Sequence, residues 1–266
     1  VSVSSDQRLY STPEWVEEFR RRPGTTNRRR LRNHRNYRAV FVAAHAFAKA
    51  YPNPDRIAAA LALPTSRSRD GVQREMEFTN PGAEGVTVLR ALPSAPGNSD
   101  AADELRQYER EWTEQCARVL QMELDALPFD CVPRDLLVLT ATTDDRIRSM
   151  IVRSLVMVEA DYIDYVTDDN RRAVAGPDMV RVSTFHSARG LEAERVVVFG
   201  FGRLENGFAS HGDPKMANKL GYVALSRSHG YCTVVTTTRA QSLPILFLES
   251  IITEMARVDA DGTGAV

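Results

Sequence analysis

The stretch Val196-Val197-Val198-Phe199 decides the fold, because it is an unbroken apolar run preceded by the charged pair Glu194-Arg195. A run of this kind is typical of a strand that is buried on both faces, as in a parallel sheet covered by helices. Five further predicted strands flank it along the chain: Val86–Leu89, Leu136–Leu139, Tyr162–Val166, Val180–Thr184 and Cys232–Val235.

Apolar residues at helical spacing separate these strands. The predicted helices are Tyr37–Ala50, Asp100–Leu127, Asp145–Glu159, Pro214–Ser226 and Ser242–Val258. In the longest of them, the expected core positions are Leu105, Trp112, Cys116, Val119, Leu120 and Leu124. Strands that alternate with helices predict a doubly wound α/β domain, in which a parallel sheet carries helices on both faces.

One part of the chain departs from this alternation. Between Pro52 and Asn98, Pro, Gly, Ser and charged residues are frequent, and Val86–Leu89 is the one clear strand. This composition predicts mostly connecting and surface chain.

Composition excludes several classes of protein. The 34 basic and 35 acidic residues leave a formal net charge of −1, so a uniformly polycationic nucleic-acid coat is excluded. Cys116, Cys131 and Cys232 are far apart and odd in number, which argues against a disulfide framework or a Cys-rich zinc site. We find no bilayer-length apolar run and no signal-peptide pattern. We therefore expect a soluble cytoplasmic protein with no membrane partner and no metal site of its own.

Arginine is concentrated in one acid-free stretch between residues 20 and 38. Such a charge run is either a solvated face or a surface that binds phosphates in a salt-dependent way. Its members are Arg20, Arg21, Arg22, Arg28, Arg29, Arg30, Arg32, Arg35 and Arg38.

The exit from the strand Val180–Thr184 carries the most informative polar residues. Ligands of open parallel sheets bind beyond the carboxyl ends of the strands, so we expect a site there. The hydroxyl of Thr184 suits a phosphate oxygen, Gly190 permits close approach of the backbone, and Glu192 can accept hydrogen bonds from sugar hydroxyls. Taken alone, Thr184, His186 and Glu192 are equally compatible with a polar surface loop.

Two other segments bring an arginine to a helix end. Arg227 follows a helix with a small apolar inner face and suits charge on a transferring phosphoryl group, or else the helix macrodipole. At the start of another helix, Tyr37 suits stacking on a base and Arg38 suits a phosphate. The alternative for this pair is a core tyrosine beside a solvated arginine.

Together, in this order and spacing, these segments resemble the C-terminal RecA-like motor domain of UvrD/Rep-type superfamily 1 DNA helicases. Thr184–Glu192 is similar to the fifth motif of that family, Tyr222–Arg227 to the sixth and Asn36–Arg38 to the fourth. Asp6–Tyr10 is similar to the third motif, with Gln7 as its glutamine. The resemblance runs from about residue 1 to residue 258.

The resemblance implies a division of the chain. Residues 1–30 would be the end of a first motor domain, with its third-motif strand and a connector. Residues 31–258 would be the second RecA-like domain, and residues 259–266 a disordered tail. Because the chain begins at Val1 within an apolar stretch, we expect it to be a fragment or a processed chain.

The resemblance also implies a role for each motif residue. Gln7 would couple the γ-phosphate to bound DNA, and Arg38 and Arg227 would contact that phosphate as arginine fingers. Tyr37 would stack on adenine, Glu192 would bind the ribose, and Gly190 would shape that loop. Thr184 and His186 would face single-stranded DNA. The implied activity is that of an ATP-dependent 3′-to-5′ helicase or translocase of the kind that serves DNA repair.

Two departures from the family pattern limit this activity. No G-x-x-x-x-G-K-[ST] segment occurs in the sequence, and no acidic pair precedes Gln7. We therefore expect ATP and Mg²⁺ to be bound mainly by an upstream Walker A domain, in the same or another chain, and we expect this chain alone to be inactive. The gap between Val166 and Val180 is too short for the accessory domain of Rep-like helicases, so strand separation need not accompany translocation.

A second class of function stays open. The chain would then be a non-catalytic helicase-like binding module, either an RNA polymerase remodelling factor or a subunit of a defence or repair complex. The joint presence of Gln7, Arg38, Glu192 and Arg227 favours a working nucleotide cleft. A small-molecule α/β enzyme is less favoured, because the sequence has no nucleophile elbow, metal-ligand cluster or dinucleotide fingerprint.

Overall fold

A computed structural model describes most of the chain from Arg32 onward. The described residues are 32–33, 36–63, 65–67, 73–75, 77–78, 85–96, 102–141, 145–167, 170, 173–188, 190–205 and 214–260. The predicted third-motif segment with Gln7, and all of the arginine stretch except Arg32 and Arg38, lie outside these residues.

The described chain contains ten strands. They are β1 (Arg32–Asn33), β2 (Thr65–Arg67), β3 (Gln73–Glu75), β4 (Glu77–Phe78), β5 (Val86–Leu92), β6 (Leu136–Thr140), β7 (Tyr162–Asp164), β8 (Val180–Thr184), β9 (Ala193–Phe199) and β10 (Ser228–Thr237). Six of them form one sheet in the order β5-β10-β9-β6-β8-β7, and every neighbouring pair is parallel. Two small pairs lie apart from this sheet: β1 with β4, and β2 with β3.

Six α-helices accompany the strands. They are α1 (Arg38–Ala50), α2 (Ile57–Leu61), α3 (Ala102–Asp125), α4 (Asp145–Met157), α5 (Pro214–Leu225) and α6 (Leu243–Ala260). Short 3-10 turns lie at Pro54–Arg56, Pro133–Asp135 and Phe201–Leu204.

Alternating residues of the central strands enter two separate cores. Leu137, Leu139, Val196 and Val198 are buried on one face of the sheet, together with residues of α1, α5 and α6. The intervening residues are buried on the other face against α3 and α4: Leu136, Val138, Val197 and Phe199. This period of two explains why the strands read as unbroken apolar runs. The predicted α/β class, with a parallel sheet and helices on both faces, is confirmed, and the architecture is consistent with a RecA-like fold.

A buried ion pair fixes the sheet against α3. Glu123 on α3 is 2% exposed, and its carboxylate accepts hydrogen bonds from Arg195 Nε at 2.7 Å and from Thr233 Oγ1 at 2.6 Å. The guanidinium of Arg195 also lies 4.1 Å from the centre of the Tyr231 ring. Because both oxygens of Glu123 are used, this charge is buried with its partners supplied. It ties β9 and β10 to one helix.

Several element boundaries differ from the sequence-based prediction. The region Pro52–Asn98 contains α2 and β2–β4 in addition to the predicted strand, so it holds more regular structure than the single strand predicted there. The helix α6 reaches Ala260, beyond the predicted end at Val258. Leu105 was expected in the core but is 38% exposed, because it lies in the first turn of α3, ahead of the part of the helix that packs on the sheet.

Candidate functional site

The start of α1 is tied to the amino end of β10. Asn36 is buried, and its Nδ2 donates to the backbone oxygens of Ser226 at 3.1 Å and Ser228 at 2.5 Å. The backbone N–H of Tyr37 donates to the backbone oxygen of His229 at 2.7 Å. These bonds hold Tyr37, the residue that precedes α1, at the edge of the sheet where β9 and β10 begin.

A bulge interrupts β10 at this point. Ser228 pairs with Ala193 and Tyr231 pairs with Arg195, so three steps along β10 match two along β9. The extra residue falls at His229-Gly230. A Cβ on Gly230 would lie 2.5 Å from Glu194 Oε1 and 3.3 Å from Tyr37 Cε2. Glycine therefore gives both side chains room, and a bulge of this kind turns side chains out of the regular alternation.

The carboxylate of Glu192 meets the imidazole of His229. Glu192 Oε2 lies 3.2 Å from His229 Nε2, and the two side chains are 39% and 37% exposed. The backbone oxygen of Glu192 accepts a hydrogen bond from Arg181 Nη2 at 2.6 Å. Burial lowers the pKa of Arg181 from its usual value, though the side chain still bridges to the backbone oxygen of Arg134 at 2.8 Å. Glu192 is thus held through its backbone and its carboxylate, while the side chain stays accessible.

Arg227 is the largest fully buried side chain of the described chain, at 2% exposure. Its Nε donates to the backbone oxygen of Val223 at 3.1 Å. Two longer contacts, both 3.4 Å, join its terminal nitrogens to the backbone oxygen of Leu191 and to Ser226 Oγ. The guanidinium therefore lies beneath the Leu191-Glu192 segment, with protein oxygens as partners.

Arg38 points toward the end of α6. Its Nη1 lies 3.7 Å from Asp259 Oδ1, and both side chains are well exposed. An exposed ion pair of this length contributes little to stability and is readily exchanged for another anion.

Glu194 adds a second carboxylate near the amino ends of β9 and β10. Burial raises the pKa of the Glu194 carboxyl above its usual value, while nearby His229 and Arg195 favour the charged form and oppose the shift. His229 therefore has two acidic neighbours, Glu192 in contact and Glu194 close by.

Thr184 and His186 lie at the opposite ends of the strands, where β8 terminates. Thr184 is buried, and its Oγ1 accepts the backbone N–H of Ser187 at 3.1 Å. Its backbone oxygen accepts the N–H of Ala188 at 2.8 Å, so the chain turns sharply through half-buried His186. Gly190 follows as an exposed residue with a φ of +89°, a conformation that favours glycine.

Five of the predicted site residues form two groups, and Arg38, which faces Asp259 of α6, belongs to neither. Tyr37, Glu192 and Arg227 gather at the amino ends of β9 and β10, whereas Thr184 and His186 lie at the carboxyl end of β8. The expectation that the whole site lies beyond the carboxyl ends was wrong for the first group. The reason is that Glu192 immediately precedes β9 and Arg227 immediately precedes β10, so both residues lie at the amino ends of these strands. The chemical roles of both groups stay predictions.

Sequence reasoning missed four residues of the first group: Arg181, Glu194, His229 and Gly230. The dipeptide His229-Gly230 directly after Arg227 was the available signal, since glycine within a strand often marks a bulge. Arg181 and Glu194 gave no signal, because their partners are distant in the sequence.

No helix among the described residues has the length and apolarity needed to cross a bilayer. Within the same residues, no three His, Cys, Asp or Glu side chains are grouped so that they could hold a metal ion.

No family model and no curated protein matches the chain. Among solved structures, the C-terminal domain of a possible DNA helicase from Lactobacillus plantarum WCFS1 is similar to it, with 16% identity and a TM-score of 0.37. The match covers 61% of this chain and 78% of that domain. A similarity at this level carries no argument about the activity of this chain.

Proposed function

We propose that this chain is the second motor domain of an ATP-dependent DNA helicase or translocase, working with a Walker A domain that completes the ATP cleft. The observation that carries the proposal is the convergence of Tyr37, Glu192 and Arg227 at the amino ends of β9 and β10. An aromatic ring, a carboxylate and a guanidinium are the groups that a base, a ribose and a triphosphate require.

An adenine nucleotide would meet these residues after one rearrangement, at Arg227. Tyr37 offers a half-buried ring and Glu192 an accessible carboxylate. Arg227 is engaged by protein oxygens, and two of the contacts of its terminal nitrogens are 3.4 Å long and therefore weak. A phosphate oxygen can replace them with a shorter, charge-assisted bond. Mg²⁺ would be held by the Walker A domain, where with ATP bound it would neutralise phosphate charge.

Single-stranded DNA would bind at the carboxyl end of β8, through Thr184 and His186. The polarity would be 3′ to 5′, in keeping with the sequence resemblance, and translocation is proposed rather than strand separation. Gln7 would belong to the coupling between phosphate and DNA.

The test is DNA-stimulated ATP hydrolysis by this chain together with a Walker A motor domain supplied in cis or in trans. Arg227→Ala should lower kcat by about 10³-fold, the scale of effect of arginine fingers, and Arg227→Lys should restore little of it. Arg239→Ala is the matched control, because Arg239 is an exposed arginine just past the far end of β10. Urea unfolding of each variant separates loss of activity from loss of fold. Full hydrolysis by a folded Arg227→Ala variant would contradict the proposal.

A second function is favoured by the same contacts of Arg227 and Arg38. If both guanidinium groups keep their protein partners, the chain is a non-catalytic helicase-like module that binds nucleic acid or a protein. Binding of a non-hydrolysable ATP analogue, measured with and without the Walker A domain, separates the two. Tighter binding in the assembled pair supports the motor domain, and no binding in either case supports the module.

A further inference from the structure

The imidazole of His229 contacts the Glu192 carboxylate, and sequence reasoning assigned it no role. The 3.2 Å contact between Nε2 and Oε2 joins two side chains that are each more than one-third exposed. Two exposed side chains make a lasting contact only where their backbones are fixed, since otherwise the entropy of ordering them outweighs the gain. Both backbones are fixed here.

The position of His229 is set by its neighbours on three sides. Its backbone oxygen accepts the N–H of Tyr37 at 2.7 Å, and the preceding oxygen, of Ser228, accepts Asn36 Nδ2. The bulge at His229-Gly230 turns the side chain out of the regular alternation of β10. On the facing segment, Arg181 holds the backbone oxygen of Glu192.

We infer that His229 is a positioning residue that orients the Glu192 carboxylate toward a ribose, and so makes the proposed nucleotide site select ribonucleotides over 2′-deoxyribonucleotides. A carboxylate has two oxygens and about four acceptor positions, and the bond from His229 uses one of these positions. His229 donates to this carboxylate through Nε2–H in the neutral Nε2–H tautomer or in the imidazolium form. An oriented acceptor discriminates better than a mobile one, because a missing hydroxyl then leaves an acceptor that cannot turn elsewhere.

This inference rests on the proposed function. The experiment measures kcat/KM for ATP and for 2′-deoxyATP in the assembly of this chain with a Walker A motor domain and single-stranded DNA. The wild-type assembly should prefer ATP, and Glu192→Ala should remove the preference. His229→Leu should lower it by about fivefold to tenfold, the scale expected for the net contribution of one hydrogen bond.

The readout is the ratio of the two kcat/KM values, which a merely structural role would not move because it would affect both nucleotides alike. His229→Gln, whose amide can donate from a similar position, should recover most of the ratio. Arg239→Ala should leave the ratio unchanged. His229→Gln also serves if His229→Leu does not fold: its ratio must then differ from that of Glu192→Ala.

The outcomes separate the two claims. If Glu192→Ala removes the preference but His229→Leu keeps the wild-type ratio, the positioning role of His229 is overturned while the proposed function stands. If the wild-type assembly hydrolyses both nucleotides equally, the selectivity inferred here is overturned. If it binds and hydrolyses neither, the proposed function fails, and the inference fails with it.

Discussion

Single side chains at the amino ends of β9 and β10 each hold more than one neighbour. Asn36 bridges Ser226 and Ser228, and Arg181 bridges Arg134 and Glu192. Each bridge joins segments that are far apart in the sequence, so the region around the amino ends of β9 and β10 is assembled from several parts of the chain. At this scale, burial raises the pKa of the Glu194 carboxyl, so its protonation is linked to folding.

Glu194→Gln should stabilise the folded chain at neutral pH and have less effect in acid. Burial raises the pKa of Glu194, so the folded chain holds this proton to higher pH than the unfolded chain does. The stability linked to this proton is fully present below the usual pKa of 4.5 and is lost as pH rises through the raised pKa. Glutamine cannot ionise and avoids the loss. We expect a gain below about 1 kcal/mol at pH 7, since the half-buried group is partly screened.

The measurement is the free energy of urea unfolding at pH 4, 5, 6 and 7 for wild type and variant. Glu104→Gln, at an exposed position of α3, is the matched control. A difference between Glu194→Gln and wild type that stays constant over this range would contradict the assignment.

Residues within linear motifs were predictable, and residues that act through the fold were not. Glu192 and Arg227 stand in recognisable segments, so the sequence could single them out as candidates, and their roles stay predictions. His229 acquires its contact only because a bulge redirects it, and a bulge depends on the pairing of β10 with β9. Arg181 lies in the predicted strand Val180–Thr184, where nothing local shows that its guanidinium reaches Glu192.

At the scale of elements, the layer of α1, α5 and α6 depends on a close approach between α1 and α5. Phe47 on α1 is fully buried and lies against the position where Gly221 on α5 has no side chain. The Phe47 ring is confined by Tyr51 at 4.8 Å and Phe201 at 5.0 Å between ring centres. It therefore has little room to move.

Gly221→Ala should destabilise the fold, because the new Cβ would overlap the confined ring of Phe47. Overpacking typically costs about 1–3 kcal/mol, which exceeds the gain of up to about 1 kcal/mol that alanine brings to a helix. The measurement is the urea midpoint at constant m-value. In a Phe47→Leu background, the smaller side chain makes room and the cost should fall. Equal costs in the two backgrounds would show that the two helices do not meet through this pair.

The sequence predicted the large elements well and their ends less well. The periodicity of α1, α3, α4, α5 and α6 is strong, because each buries one face over three turns or more. The strand β10 was predicted from Cys232, but it begins at Ser228, since the bulge breaks the pattern over its first residues. The order of strands in the sheet is set by contacts between distant segments and left no local trace.

At the scale of the whole molecule, the two groups of candidate residues lie at opposite ends of the strands of one sheet. Nucleotide groups are proposed at the amino ends of β9 and β10, and DNA contacts at the carboxyl end of β8. Because the two surfaces are separate, a substitution in one of them can weaken the binding of its own ligand without contacting the other ligand.

Thr184→Val should weaken single-stranded DNA binding severalfold while leaving nucleotide affinity without DNA unchanged. Valine keeps the shape of threonine but removes the hydroxyl that accepts the Ser187 N–H and is proposed to meet a phosphate. Thr184→Ser keeps the hydroxyl and should retain most of the affinity. Fluorescence anisotropy at fixed salt gives the DNA affinity, since phosphate contacts depend on ionic strength. Undiminished DNA binding by a folded Thr184→Val variant would remove Thr184 from the interface.

The connection from the end of β8 to the start of β9 is unusually short. Parallel strands are generally joined by a dozen or more residues, often including a helix, but residues 185–192 alone lead from the end of β8 to the start of β9. They also pass β6, which separates the two strands, and Phe185 and Ala188 are buried along the way. A connection of eight residues has little slack. Under the proposed function, a displacement of Glu192 by an arriving nucleotide would be passed along this segment to the turn at Thr184, so that the proposed DNA contacts would respond to the nucleotide.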